Sequence, residues 1–109
     1  MVSLTFIPGN EQVYNIHSRL FTDYFMEHYL VMGRPHWTSL NGDSAIWSYR
    51  NDGWLIGSSA SLGTTSSSFY TESEADCVNG TMDWSFFNYL ETKWEWAGEG
   101  GFVEGFTGI

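Results

Sequence analysis

Two glycine turns set about one strand apart, Asn41-Gly42 and Asn51-Asp52-Gly53, constrain this chain more than any other feature. Asn-Gly and Asp-Gly supply the positive φ angles that tight hairpins need. The runs between and around them, His36 to Leu40, Ala45 to Arg50 and Trp54 to Gly57, are aromatic and β-branched, which suits a pleated, half-buried surface. Two hairpins in series make an antiparallel meander, so the fold class is all-β: a single small antiparallel sheet or sandwich.

The rest of the chain fits that frame with varying clarity. Val2, Leu4 and Phe6 alternate with Ser3 and Thr5, the period of a half-buried strand, which Pro8-Gly9-Asn10 then stops. From Gln12 to Val31 two periods compete. Leu20, Phe21, Tyr24, Phe25 and His28 fit a helical stripe, whereas Tyr24, Met26, His28 and Leu30 fit a strand; β-propensity and the all-β neighbourhood favour strand. Ser58 to Ser68 reads as a loop, Phe69 to Glu72 as a short strand, and Trp84–Leu90 with Lys93–Trp96 as a last hairpin about Glu91-Thr92. Glu-Thr is a poor two-residue turn, which leaves room for a longer loop. The Gly-Phe-rich segment from Ala97 to Ile109 is either a final edge strand or a contact arm. With 109 residues and no internal repeat the chain is one unit: an N-terminal strand in 1–9, a core in 10–96 and a tail in 97–109.

Charge excludes some partners. Thirteen Asp and Glu against four Lys and Arg give a formal charge of −9, which repels phosphate backbones and anionic lipid, so neither nucleic acid nor membrane insertion is expected. No apolar stretch approaches a membrane helix, and the start MVSLTFIPGN lacks the pattern of a signal peptide. An extracellular protein with this sequence is therefore expected in mature or trimmed form.

The residues that carry chemistry elsewhere are sparse here. His17, His28 and His36 have no metal-ligand spacing to one another or to Cys77, and Glu27-His28 lacks the second His of a zinc-protease motif. Cys77 has no partner for a disulfide and reads as a small buried hydrophobe. Glu72, Glu74, Asp76, Asn79 and Asp83 offer hard oxygen ligands but miss the EF-hand pattern, so a solvated acidic loop is expected in place of a calcium site. Glu91, Glu95 and Glu99 have no fixed separation that would mark a glycosidase pair. No cofactor, metal or enzymatic activity is expected. Asn79-Gly80-Thr81 is an N-glycosylation sequon in a predicted turn, and the Thr64 to Ser68 run is compositionally open to O-linked sugars.

The six tryptophans carry the sharper question. Most are expected to fill the core, Trp37, Trp54 and Trp84 above all. Trp47, Trp94 and Trp96 are the candidates to present flat faces to sugar rings, with Trp94 and Trp96 on one sheet face if their segment is a strand.

The residues Gly33-Arg34-Pro35-His36-Trp37, Ile46-Trp47-Ser48-Tyr49, Gly53-Trp54-Leu55-Ile56-Gly57, Leu62-Gly63 and Phe69-Tyr70, continued by Cys77, Trp84 and Trp94, form a recurring aromatic pattern. From about Arg34 to Trp96 the chain resembles a small β module found in extracellular proteins of protists and marine invertebrates. The resemblance implies no enzymatic activity and a building block of adhesive or matrix proteins, often in tandem. This chain departs from that pattern in standing alone between an apolar front strand and a Gly-Phe-rich tail.

Two functional expectations follow. The first is a non-enzymatic extracellular structural or adhesive module that joins copies of itself into an oligomer or filament, its terminal strand adding to a neighbour's sheet through Val2, Leu4, Phe6, Phe102, Phe106 and Ile109. Against it stands pairing of that first strand within its own domain. The second expectation is a carbohydrate-binding module that uses Trp47, Trp94 or Trp96.

Overall fold

The computed structural model describes residues 2–4, 16–49, 53–72, 84–96 and 103–104. Among these lie nine strands in one antiparallel sheet: β1 (Val2–Leu4), β2 (Asp23–Met26), β3 (Trp37–Ser39), β4 (Ser44–Ser48), β5 (Trp54–Ser58), β6 (Phe69–Thr71), β7 (Ser85–Asn88), β8 (Lys93–Trp96) and β9 (Val103–Glu104). The order across the sheet is β8-β7-β6-β5-β4-β3-β2-β1-β9. The chain thus meanders from β1 to β8 and then returns to pair β9 with β1.

The ladder registers explain the core. Cross-strand partners share a face, and the partners Trp37, Ile46, Ile56, Phe69 and Phe86 form one row across β3 to β7. That row, with Leu4, Leu20, Tyr24, Trp54 and Trp84, makes a single cluster of buried side chains. Trp37, Trp54 and Trp84 are in the core as their sequence context suggests. The sheet curls around this cluster. The Nε2 of His17, from the segment ahead of β2, donates to the carbonyl of Phe87 in β7 at 2.7 Å, a closure that a flat sheet with strands about 4.8 Å apart could not make.

Both edges of β1 are occupied at home. Ser3 lies opposite Asp23 of β2 on one side and Glu104 of β9 on the other, and Leu4 is buried in the chain's own core. The tail accordingly supplies an edge strand, one of the two forms its sequence allows. Phe6, Phe102, Phe106 and Ile109 lie outside the described residues, as do Asn79 and Cys77.

The Gln12–Val31 segment departs from the expected long strand. A 3-10 turn at Ser18–Leu20 precedes β2, and His17 and Leu20, three residues apart, both face the core. Of the helical stripe only Leu20 lies in this turn, whereas Tyr24 and Phe25 belong to β2. Beyond β2 the hairpin reaches on through Glu27, whose N–H donates to the His36 carbonyl, to a two-residue tip at Met32-Gly33. Val31 and Arg34 exchange both backbone hydrogen bonds (2.9 and 3.1 Å), and Met32 and Gly33 have φ of 54° and 79°. Two positive φ angles are what a primed hairpin turn requires. The expected inward pair His28 and Leu30 is instead solvent-exposed on this arm, because the strand ends at Met26.

Candidate binding pocket on the outer face

The outer face of the sheet carries its own row of partners. Trp47 lies opposite Leu55, Leu55 opposite Tyr70, Tyr70 opposite Ser85 and Ser85 opposite Trp96, with Phe87 opposite Trp94 alongside. Near β4 this face is covered, so all five residues of β4 are buried. Near β8 it is open.

The cover is the loop between β5 and β6, and Trp47 fastens it. The indole N–H of Trp47 donates to the Thr64 carbonyl at 3.0 Å, and the ring is fully buried. A side chain with no exposed face cannot stack on a sugar, so Trp47 is not a binding residue; it is the peg that holds the loop. The loop is further shaped by its own hydroxyls. Ser58 caps the 3-10 turn at Ser59–Ser61 by accepting from Ala60 N–H, and Thr64 Oγ1 donates to the Ser61 carbonyl while accepting from Ser66 N–H. At its far end Ser68 N–H donates to the Ile56 carbonyl at 2.9 Å. This approach needs a glycine at position 57, where an added Cβ would lie 3.1 Å from Ser67 Cα.

The loop so held forms one wall of a pocket of about 380 Å³. Leu55 and Tyr70 contribute from the sheet's outer row, Trp94 from β8, Tyr49 from just past β4, and Thr65 and Ser67 from the loop. Gly53 and Thr71 complete the lining, and no charged residue is among the described residues that form it. The volume lies within the range of small-molecule sites, and the mix of aromatic surface with a few hydroxyls is their usual character. Trp94 is braced edge-on by Tyr70 (centroids 5.0 Å, 87°) and Phe87 (5.5 Å, 72°), yet it remains 42% exposed. Trp96, two residues on and on the same face of β8, is 59% exposed.

Ser67 is the unusual member of the lining. Its Oγ is buried and has no hydrogen-bond partner. A hydroxyl in that state costs about 1–3 kcal/mol relative to a satisfied one.

A second pocket of similar size lies where the segment before β2 meets the ends of β4, β5 and β7, with His17, Arg19, Asp43, Ser44, Ser58 and Tyr89 among its lining. His17 packs against Phe69 and Tyr89 there (5.0 and 5.2 Å), and burial holds its pKa below the ordinary histidine value, the bond to Phe87 opposing this in part. His36 is also fully buried, against Tyr29. Neither of its ring nitrogens has a hydrogen-bond partner of proper geometry, and desolvation lowers its pKa while the Glu27 charge works the other way. Both rings are core histidines. Among the described residues no group of three or more His, Cys, Asp or Glu is placed to hold a metal, and no helix is long and apolar enough to cross a membrane.

The carboxylates considered for acid-base chemistry are engaged otherwise. Glu91 and Glu95 approach Lys93 at 3.3 and 3.9 Å, and Glu95 accepts from the Asn88 amide at 2.5 Å; Glu99 lies outside the described residues. Of the sequence candidates, then, the structure brings Trp94 and Trp96 together on an open face and removes Trp47. Tyr49, Leu55, Thr65, Ser67 and Tyr70 were not among the sugar-binding candidates of the sequence. Tyr70 could have been found, since alternation with the inward Phe69 puts it outward; nothing in a Ser/Thr-rich loop distinguishes Ser67 from its neighbours. In comparisons with known proteins the chain matches no family model, no curated protein and no solved structure.

Proposed function

We propose that the chain is a non-catalytic carbohydrate-binding module of an extracellular protein, with the outer-face pocket as its site. One observation carries the reading: a braced, half-open indole, Trp94, lines a pocket together with the hydroxyl-bearing Thr65, and no charged residue is among the described residues that form it. A pyranose ring has one apolar C–H face and a rim of hydroxyls, and it needs a flat apolar surface beside hydrogen-bonding groups. Packing such a face on the indole buries apolar area from both partners, worth on the order of 1–2 kcal/mol. The rigid sheet under Leu55 and Tyr70 means that little ordering is required on binding.

Calorimetric titration of the full chain with neutral oligosaccharides tests this. Binding in the millimolar to micromolar range is expected, weakened about tenfold by Trp94→Ala, the loss of one stacked face. Unchanged affinity in a folded Trp94→Ala protein would sink the reading.

Assembly is the second reading, and the sheet's openness favours it. β8 and β9 are the outermost strands in the sheet order, so a neighbour's strand could extend the ladder there without disturbing β1. Sedimentation velocity separates the two: concentration-dependent growth supports strand addition, and a monomer throughout opposes it.

A further inference from the structure

Building on the carbohydrate reading, we infer that the site runs past the pocket along β8 and takes a neutral saccharide of at least two linked pyranose rings with equatorial hydroxyls, the first on Trp94 and the second on Trp96. Four observations lead there. Trp94 and Trp96 are two residues apart on one strand and share a face, which sets them about 7 Å apart, the scale of adjacent rings in a glycan chain. Trp96 is the more exposed of the two, and the residue opposite it on β7 is the small Ser85, where Trp94 has Phe87. The indole beyond the pocket is therefore an open platform beside the braced one. The charged residues of β8, Lys93 and Glu95, alternate with the tryptophans, and Glu95 bonds Asn88 of the neighbouring strand. Among the described residues the face offered to ligand is thus uncharged, and the chain's formal charge of −9 opposes uronate or sulfated sugars. Finally, stacking on an indole needs a flat apolar ring face, which equatorial hydroxyls leave clear.

Chain-length dependence of binding is the test. The full chain is titrated with glucose, cellobiose and cellotriose, with N-acetylglucosamine and its β-1,4-linked dimer, and with digalacturonate. In at least one neutral series the disaccharide is expected to bind roughly tenfold tighter than the monosaccharide, the gain of a second stacked face. Trp96→Ala should remove that gain, Trp96→Phe should restore most of it, and Trp94→Ala should weaken every member. The Phe variant keeps the result readable if Ala loosens the edge strand. Equal binding of mono- and disaccharide, with Trp96→Ala neutral, overturns the second subsite and leaves the pocket standing. No binding by any of these sugars overturns the pocket reading as well. Digalacturonate bound as tightly as cellobiose overturns the selection for neutral rings.

Discussion

Replacing Ser67 by Ala should raise stability and leave sugar binding in place. The buried, unpartnered Ser67 Oγ loses its hydration on folding and receives no hydrogen bond in return. Removing it deletes a penalty of about 1–3 kcal/mol, offset in part by a small void where the oxygen sat, so the net gain is on the order of 1 kcal/mol. For a domain of this size that corresponds to a rise in Tm of about 4–8 °C. An oxygen with no accessible surface cannot bond a sugar in the pocket, so the Kd for cellobiose or chitobiose should stay within about twofold of the parent. Thermal melts and calorimetric titrations of the two proteins read both quantities. A variant that melts lower than the parent refutes the reading of this oxygen as unpaired, and one that loses sugar affinity refutes its burial behind the pocket wall.

Three further outcomes follow from the geometry. Gly53→Ala places a Cβ 1.9 Å from the Thr71 carbonyl oxygen at a φ of 137°, so the strands must part or the backbone must turn; a loss of at least about 3 kcal/mol in urea unfolding is expected. Burial lowers the pKa values of His17 and His36 from the ordinary 6.5, so the fold prefers both rings neutral. The unfolded chain takes up protons first, and the stability these rings contribute is whole above pH 6.5 and declines as pH falls below it. The urea midpoint should accordingly be lower at pH 5.5 than at 7.5, by less in His17→Phe, which keeps an aromatic ring and cannot protonate. Trp47→Phe removes the indole bond to Thr64; a stability loss of about 1 kcal/mol and weaker sugar binding are expected, although residue 47 touches no ligand.

The central meander was legible because its signals are local. Alternation puts Trp37, Ile46, Ile56, Phe69 and Phe86 on one face, and a residue's face in a strand follows from its position alone. The turns were less legible. The Asn41-Gly42 signal became a turn closed by Gly42 N–H to the Ser39 carbonyl, with Asn41 Oδ1 accepting from Ser39 Oγ and Asp43 N–H. The last hairpin is a four-residue loop, from Asn88 to Lys93, in which Asn88 Oδ1 accepts from Leu90 and Glu91 and Thr92 takes a φ of 54°. A β-branched residue there, like Met32 at the other tip, is contrary to turn preferences, so tertiary context overrides the local choice.

What the sequence withheld is whatever depends on two distant segments meeting. Whether Trp47 is covered depends on a loop more than ten residues away, whose carbonyl at Thr64 receives its N–H. Trp94 stays open because nothing comparable among the described residues crosses β8. Both tryptophans sit at outward strand positions, and only the path of the Ser59–Ser68 segment tells them apart. The same holds for β1: its alternation announces a strand, but not that Asp23 and Glu104 would flank it.

The account rests on sugar reaching Trp94 and Trp96 and no other indole. Nitrogen-labelled protein shows one indole N–H resonance for each of the six tryptophans. During titration with chitobiose or cellobiose, the Trp94 and Trp96 signals should shift in a saturable way, while those of the buried Trp37, Trp47, Trp54 and Trp84 stay within line width. Still spectra at saturating sugar, or shifts of the buried indoles as large as those of Trp94 and Trp96, would contradict it.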